Sequence, residues 1–217
     1  MPTDNPPGQF AFETERLRMR PLADEDEALF RFLYTDADTM RFIGEPLSQE
    51  SAARCFRTAL AASGKSPPQS VFWAILEKTT QRRLGICAIV QFDAALARAE
   101  VGMMLAPEAR ARGYSKECLA KLVTRTFAMF PIDEVWVQYS SGHSAAERLV
   151  ISIDFSRGTD IDPGDGSPAK RFWSVRRPSR GSINAANNQG KDNVERDRFS
   201  GKNGAGRAIA SCDDRGN

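Results

Sequence analysis

The first regular pattern in the chain is ERLRMRPL at residues 15–22, where Leu17 and Met19 alternate with Arg16, Arg18 and Arg20. Successive strand side chains point to opposite faces, so this is a half-buried strand, ended by Pro21. The period then changes. Asp24 and Glu27 stand at capping-box spacing, and Leu29, Phe32 and Leu33 carry an apolar stripe at helical spacing. Ser48 is the expected N-cap of a second helix over residues 48–62, with Ala52, Cys55, Phe56 and Leu60 inward. Pro67 and Pro68 mark a turn. Strand-like runs follow at residues 71–76, 84–92 and 99–105, and their short connections predict an antiparallel meander.

PEARARGY, residues 107–114, reads as a loop. A helix is predicted over residues 115–130, with Leu119, Leu122, Val123, Phe127 and Phe130 on one face and Pro131 as its stop. VWVQY at 135–139 is a short apolar strand, and Ser140, Ser141 and Gly142 turn into a helix over 144–152. Residues 155–161 have a weak strand pattern, 163–166 form a turn, and 171–176 alternate as a last strand. A strand–loop–helix–strand unit after a meander predicts an α+β fold with a partly parallel crossover.

Composition sets the boundaries. Residues 178–217 hold six Gly and six Asn, and their few large apolar residues follow neither period. Such a segment buries too little apolar surface to offset its ordering entropy, so a disordered tail is expected there, a disordered stretch at 1–8, and one domain over 9–177. The 217 residues are 41% hydrophobic and 27% charged, as in globular proteins. With 30 Lys and Arg against 28 Asp and Glu, no DNA or anionic membrane partner is predicted. No run reaches the roughly 20 apolar residues of a membrane span. The first ten residues lack the basic and apolar regions of a signal peptide. Four cysteines without a CxxC pair are read as reduced, hence a cytoplasmic chain. A single histidine, His143, excludes His-rich metal sites, and no metal is expected.

Several motifs fail on inspection. GKS at 64–66 lacks the first glycine of a phosphate loop, since residue 59 is Ala59. DIDPGDG at 160–166 has Gly164 at the fifth position of a calcium loop and Arg171 at the twelfth. GHSAA at 142–146 sits between strand and helix like a hydrolase elbow, but a base for Ser144 would need a histidine elsewhere. The loop Arg110, Ala111, Arg112, Gly113, Tyr114 and Ser115 survives. Its successive N–H groups, the helix start behind it and two arginines would form an anion site suited to a pyrophosphate, or else a plain surface turn.

These residues together resemble the GNAT superfamily of acetyl-CoA-dependent N-acetyltransferases. FETERLRMRPL (12–22) is similar to the first strand of the branch containing ribosomal-protein N-terminal acetyltransferases. AEVGMMLAPEARARGYSKECL (99–119) resembles the strand-plus-loop signature, and HSAAERLVISIDF (143–155) the N-x-x-S/A helix segment. The resemblance implies a mostly antiparallel twisted sheet flanked by helices, with a V-shaped splay between two central parallel strands. It implies acetyl-CoA as co-substrate, with pantetheine pairing along Met103, Met104 and Leu105, pyrophosphate on Arg110–Ser115, and an amine attacking the thioester directly. A backbone N–H near Met103 or Met104 would hold the developing oxyanion.

Glu100, beside the thioester, is the expected base, against the alternatives of a solvated carboxylate or a partner for Arg98. Glu117 is expected to be structural and Cys118 to be packed. His143 replaces the family Asn, to bond pantetheine or to cap the following helix. Ser115 stands for the final Gly or Ala of the loop, Asp154 for a Gly, and Val150 for a Tyr that protonates the thiolate in relatives. The implied acceptor is a protein N-terminus or small amine, a ribosomal protein among them, and a homodimer is compatible. The alternative is a catalytically degenerate CoA-binding or interaction module.

Overall fold

The computed structural model describes residues 10–63, 70–162, 164 and 169–178. The strand expected near the N-terminus is two strands, β1 (Phe12–Glu13) and β2 (Leu17–Pro21). Thr14 folds the turn between them, its hydroxyl accepting from the Leu17 N–H at 3.0 Å. A 3-10 turn (Asp24–Asp26) leads into α1 (Glu27–Thr35), followed by α2 (Ala37–Met40) and α3 (Gln49–Ser63). The meander is β3 (Val71–Glu77), β4 (Arg83–Asp93) and β5 (Arg98–Leu105). A 3-10 turn and the loop precede α4 (Tyr114–Met129), then β6 (Glu134–Ser140), α5 (Ser144–Ile151), β7 (Ser156–Arg157) and β8 (Lys170–Arg176).

All eight strands form one sheet in the order β1-β2-β3-β4-β5-β6-β8-β7. Every pairing is antiparallel except β5 with β6, because α4 carries the chain back across the sheet between them. The sheet separates two cores. Leu17, Trp73, Val101, Leu122 and Val137 meet α4 and α5 on one face. Phe30, Tyr34, Phe56, Ala74 and Met104 meet α1–α3 on the other.

The helix starts show where pattern and fold part. Ser48 does cap α3, its hydroxyl accepting from Ser51 N–H at 3.1 Å. The expected Asp24–Glu27 box does not form. The role passes to Asp26, whose carboxylate accepts from Ala23 N–H at 2.9 Å and from Arg20 Nη1 at 2.7 Å and Arg83 Nε at 3.0 Å. Asp26 is fully buried, and two guanidiniums satisfy it there. The stripe of α1 is rotated too. Phe30, Leu33 and Tyr34 point inward, while Phe32 is 44% exposed. Phe30 is selected because α3 brings Phe56 against it, at 5.4 Å between ring centroids. The strand expected at 155–161 shrinks to β7 and one bridge between Ile161 and Lys170. Residues 1–8, Pro67, Pro68, the 64–66 motif and the tail beyond 178 lie outside the described residues. Of the cysteines read as reduced, Cys87 and Cys118 are free and buried. Cys55 is disulfide-bonded.

Candidate active site

β5 and β6 pair over only three positions: Arg98 with Glu134, Ala99 with Val135 and Glu100 with Trp136. Beyond Glu100 each strand follows its outer neighbour, Met103 staying with Cys87 and Tyr139 with Arg171. The strands therefore diverge, and β5 from Val101 to Leu105 has no strand on its β6 side. Gly85 helps hold β5 out on the β4 side. A Cβ there would lie 2.1 Å from the Met104 carbonyl oxygen, so only glycine permits this approach. The gap is a cleft of about 360 Å³.

Glu100 stands at the apex of the splay. Its neighbours Ala99 and Val101 belong to the α4-side core, so alternation turns Glu100 to the opposite face. It is 6% exposed and lines the cleft. Gln138 Nε2 donates to Oε1 at 3.3 Å, and Oε2 has no hydrogen-bond partner among the described residues. Burial pushes the carboxyl up to about 8, against a smaller opposing pull from Lys170. The shift is in the direction that brings a carboxyl toward neutral pH. The alternatives of a solvated carboxylate and an Arg98 partner do not describe it: Arg98 instead lies 3.6 Å from Asp93.

The loop before α4 has the backbone of an anion cradle. Ala111 (φ 58°) and Gly113 (φ 78°) are both left-handed and flank Arg112. Such alternation turns consecutive N–H groups to one side, and the unpaired amides of the first turn of α4 follow. Glu117, in that turn, is structural as expected. It takes Arg16 N at 2.8 Å, Arg16 Nε at 2.7 Å and the Thr14 hydroxyl at 2.5 Å, tying the β1–β2 turn to α4. These partners hold it below the ordinary carboxylate range despite partial burial. Arg16 also donates to the Arg112 carbonyl at 3.0 Å, which ties the loop to the same ion pair. Tyr114 is buried, its hydroxyl donating to Glu77 at 2.5 Å, so its side chain turns into the fold. Cys118 is fully buried, as expected for packing.

At the wide end of the splay, His143 is the N-cap of α5, its Nδ1 accepting from Ala146 N–H at 3.4 Å. Nδ1 is thereby the unprotonated nitrogen. Burial, then Arg41 and Arg110, push its pKa below the ordinary histidine value. Phe42 stacks on the imidazole. Arg110 Nε donates to the Leu105 carbonyl at 3.1 Å and Nη2 to the Thr39 hydroxyl at 2.6 Å, linking the loop to α2. Val150 is buried in the core beneath, with no hydroxyl at that position.

Of the residues expected from the sequence, Glu100, Met103, Met104, Leu105, Arg110 and His143 all line the cleft. Ala111, Arg112, Gly113, Tyr114 and Ser115 lie outside its lining, at the start of α4. Sequence reading missed Arg41, Phe42, Gln138 and Lys170, which also line it. Only the alternation of β6 could have singled out Gln138, as the polar residue on the face of Glu100. Among the described residues there is no cluster of His, Cys, Asp and Glu fit for a metal, and no helix is long and apolar enough to cross a membrane.

Comparison with known proteins agrees with this geometry. The family model described as "Acetyltransferase (GNAT) domain" matches residues 16–156. The uncharacterized N-acetyltransferase YoaA of Bacillus subtilis (strain 168) is 25% identical over 147 residues, 67% of this chain and 82% of that protein. Among solved structures, the Salmonella typhimurium acetyltransferase that modifies the N-terminal serine of ribosomal protein L7/L12 superposes with a TM-score of 0.66 at 11% identity, covering 76% of this chain and 97% of its own. The Vibrio cholerae spermidine N-acetyltransferase, solved with CoA and spermine, gives 0.65 at 12%, covering 74% and 95%. A parallel strand pair that parts at Glu100, a helix begun by a left-handed glycine loop, and a family model spanning both place this chain in the GNAT acetyltransferase family.

Proposed function

We propose that the protein is an acetyl-CoA-dependent N-acetyltransferase that acetylates a primary amine by direct attack. The observation that carries this reading is Glu100, a buried carboxyl with a free oxygen at the point where β5 and β6 separate. The free edge of β5 suits an extended, amide-bearing arm, which would add to the sheet along Met103, Met104 and Leu105. The left-handed loop Arg110, Ala111, Arg112, Gly113, Tyr114 and Ser115 suits the diphosphate at the other end of that arm. His143, with Nδ1 engaged in the cap, has Nε2 left to donate to it. The residues present therefore fit acetyl-CoA.

In the transfer, the amine nitrogen forms a bond to the acetyl carbonyl carbon and the carbon–sulfur bond breaks. The amine proton passes to Glu100, directly or through water, and the sulfur leaves as the thiolate, which takes a proton from solvent to become the thiol. A backbone N–H near Met103 or Met104 faces the carbonyl oxygen as charge develops. Positioning in the cleft supplies much of the rest.

Thiol release from acetyl-CoA over a panel of amines and peptides tests the reading. Turnover that falls by roughly 10²–10⁴-fold in Glu100→Gln, with acetyl-CoA affinity retained, is the expected result. Binding of acetyl-CoA without thiol release on any amine would favour the degenerate CoA-binding module instead, for which the buried Val150 in place of a tyrosine speaks.

A further inference from the structure

The cleft has two chemically distinct faces. Val135, Val137 and Tyr139 belong to the α4-side core, so Gln138 points with Glu100 to the face of α1–α3. Lys170 is in register with Ser140, two residues on from Gln138, and therefore shares that face. Its ammonium acts on the Glu100 carboxyl through space. α2 covers the same side, since Met40 is buried in the α1–α3 core. Arg41 follows directly, its guanidinium 4.4 Å above the Phe42 ring and near enough to His143 to oppose its protonation.

Arg41 and Lys170 both line the cleft, and neither has a carboxylate within ion-pair distance among the described residues. That sets them apart from Arg16, Arg20, Arg31 and Arg83, all of which are paired with Asp or Glu. The acids in the cleft are Glu100, which is buried, and Asp38. A mouth built for a polycation would collect carboxylates, whereas this one collects the guanidiniums of Arg41 and Arg110 and the Lys170 ammonium, of which Arg110 is already engaged by the Leu105 carbonyl and the Thr39 hydroxyl. The loop before α4 has its own left-handed backbone at Ala111 and Gly113 and its own Arg112, so a diphosphate there does not account for Arg41 and Lys170.

Resting on the acetyltransferase reading above, we propose that the acceptor carries an anionic group close to its amine, held between Arg41 and Lys170 while the amine faces Glu100. The shared chemistry is a primary amine a few bonds from a carboxylate. A free amino acid provides it, and so does a peptide whose first residues are acidic.

The test measures kcat/KM with acetyl-CoA for matched acceptors: amino acids against their carboxamides, and peptides with Asp or Glu at the second and third positions against the same peptides with Lys. Spermidine serves as the polycation. Anionic acceptors should be favoured by about tenfold or more, the scale of one charge-assisted hydrogen bond. Lys170→Glu and Arg41→Glu should each raise KM for them and shift preference toward the Lys peptides, and Lys170→Glu should leave acetyl-CoA KM unchanged. Both side chains reach solvent at the mouth, and Lys170→Arg should restore the preference. The amino-acid and peptide arms tell the two sources apart. Preference for spermidine or Lys peptides, or charge reversals without effect on acceptor KM, would overturn the proposal.

Absence of thiol release with every amine would defeat the parent reading alone. Calorimetry of N-acetylated acidic peptides and N-acetyl amino acids in the presence of CoA then decides the anion site without turnover. Binding weakened by Lys170→Glu supports it, and unchanged or undetectable binding overturns it.

Discussion

Phe42 lies face to face with His143, their ring centroids 4.3 Å apart and their planes 16° from parallel. The two rings come from opposite sides of the cleft: Phe42 follows α2, and His143 caps α5. The contact therefore bridges the wide end of the splay, where β5 and β6 have parted. It also covers the imidazole, and that burial is the first cause of its lowered pKa.

His143 is the chain's single histidine, so its titration is directly visible by NMR. Phe42→Ala should raise its pKa toward the ordinary value of about 6.5 by restoring water to the ring. The sign for stability follows. A depressed histidine pKa contributes stability that is present above the unfolded value and lost as pH falls through the folded one. The variant should lose part of that acid-side slope, and the stacking itself is worth about 0.5–1.5 kcal/mol. An unchanged His143 titration would mean that Phe42 does not shield it.

Glu100 should give the opposite slope. Its pKa is raised from 4.5 to about 8, so below 4.5 it is protonated in both states and contributes no pH dependence. Between these values the unfolded chain releases a proton that the folded chain keeps. Stability should fall as pH rises across this interval, by up to about 1.4 kcal/mol per unit, and level off above it. Glu100→Gln should flatten this part of the profile and be more stable than the parent at alkaline pH. Chemical denaturation at pH 5, 7 and 9 measures it, and parallel profiles for the two proteins would contradict a buried carboxyl.

Asp26 is the buried charge on which the turn into α1 depends. Asp26→Ala would free the Ala23 N–H that it caps and leave Arg20 and Arg83 with only the exposed Glu25 as their shared carboxylate. Losing the buried cap and its charge-assisted hydrogen bonds costs about 1.5–3 kcal/mol, because the two guanidiniums left behind reach solvent and keep Glu25. The melting midpoint should drop strongly. A change no larger than that of an exposed ion pair would show that the cluster is solvated.

What could be read from sequence followed how local the signal was. The meander, α3 and α4 rest on period and on caps next to them in the chain, and all are found within a few residues of expectation. The loop before α4 was legible because Gly113 and its arginines adjoin the helix start. Phe32 was misassigned because the inward side of α1 is chosen by Phe56, 24 positions downstream of it, rather than by spacing. Asp26 was missed for the same reason: Arg83 reaches it only once β4 is in place. On the site, Glu100 could be found through the resemblance, but its burial could not. Arg41, Phe42 and Lys170 had no motif to carry them, because only the packing of α2 and β8 around the splay brings them to one cleft.

The loop before α4 offers a graded test of backbone conformation against space. Gly113 has φ +78°, a left-handed conformation that side chains disfavour by roughly 1–2 kcal/mol. Space is not limiting, since a Cβ there would meet only the end of the Arg16 guanidinium at 3.4 Å, and that side chain is half in solvent. Gly113→Ala should therefore fold, at a small cost in stability, and weaken acetyl-CoA binding modestly as the loop strains to keep its amides aimed. Gly113→Pro is a different perturbation. Proline fixes φ near −65°, removes the residue's N–H, and forces Arg112 toward extended geometry, so the amides at the start of α4 turn away from their common focus. Acetyl-CoA affinity, measured by calorimetry, should fall in the order glycine, alanine, proline, with the proline variant far below the alanine one. Circular dichroism checks that α4 persists. Equal affinity across the three folded proteins would remove the loop from cofactor binding and leave the diphosphate to be held by arginine side chains alone.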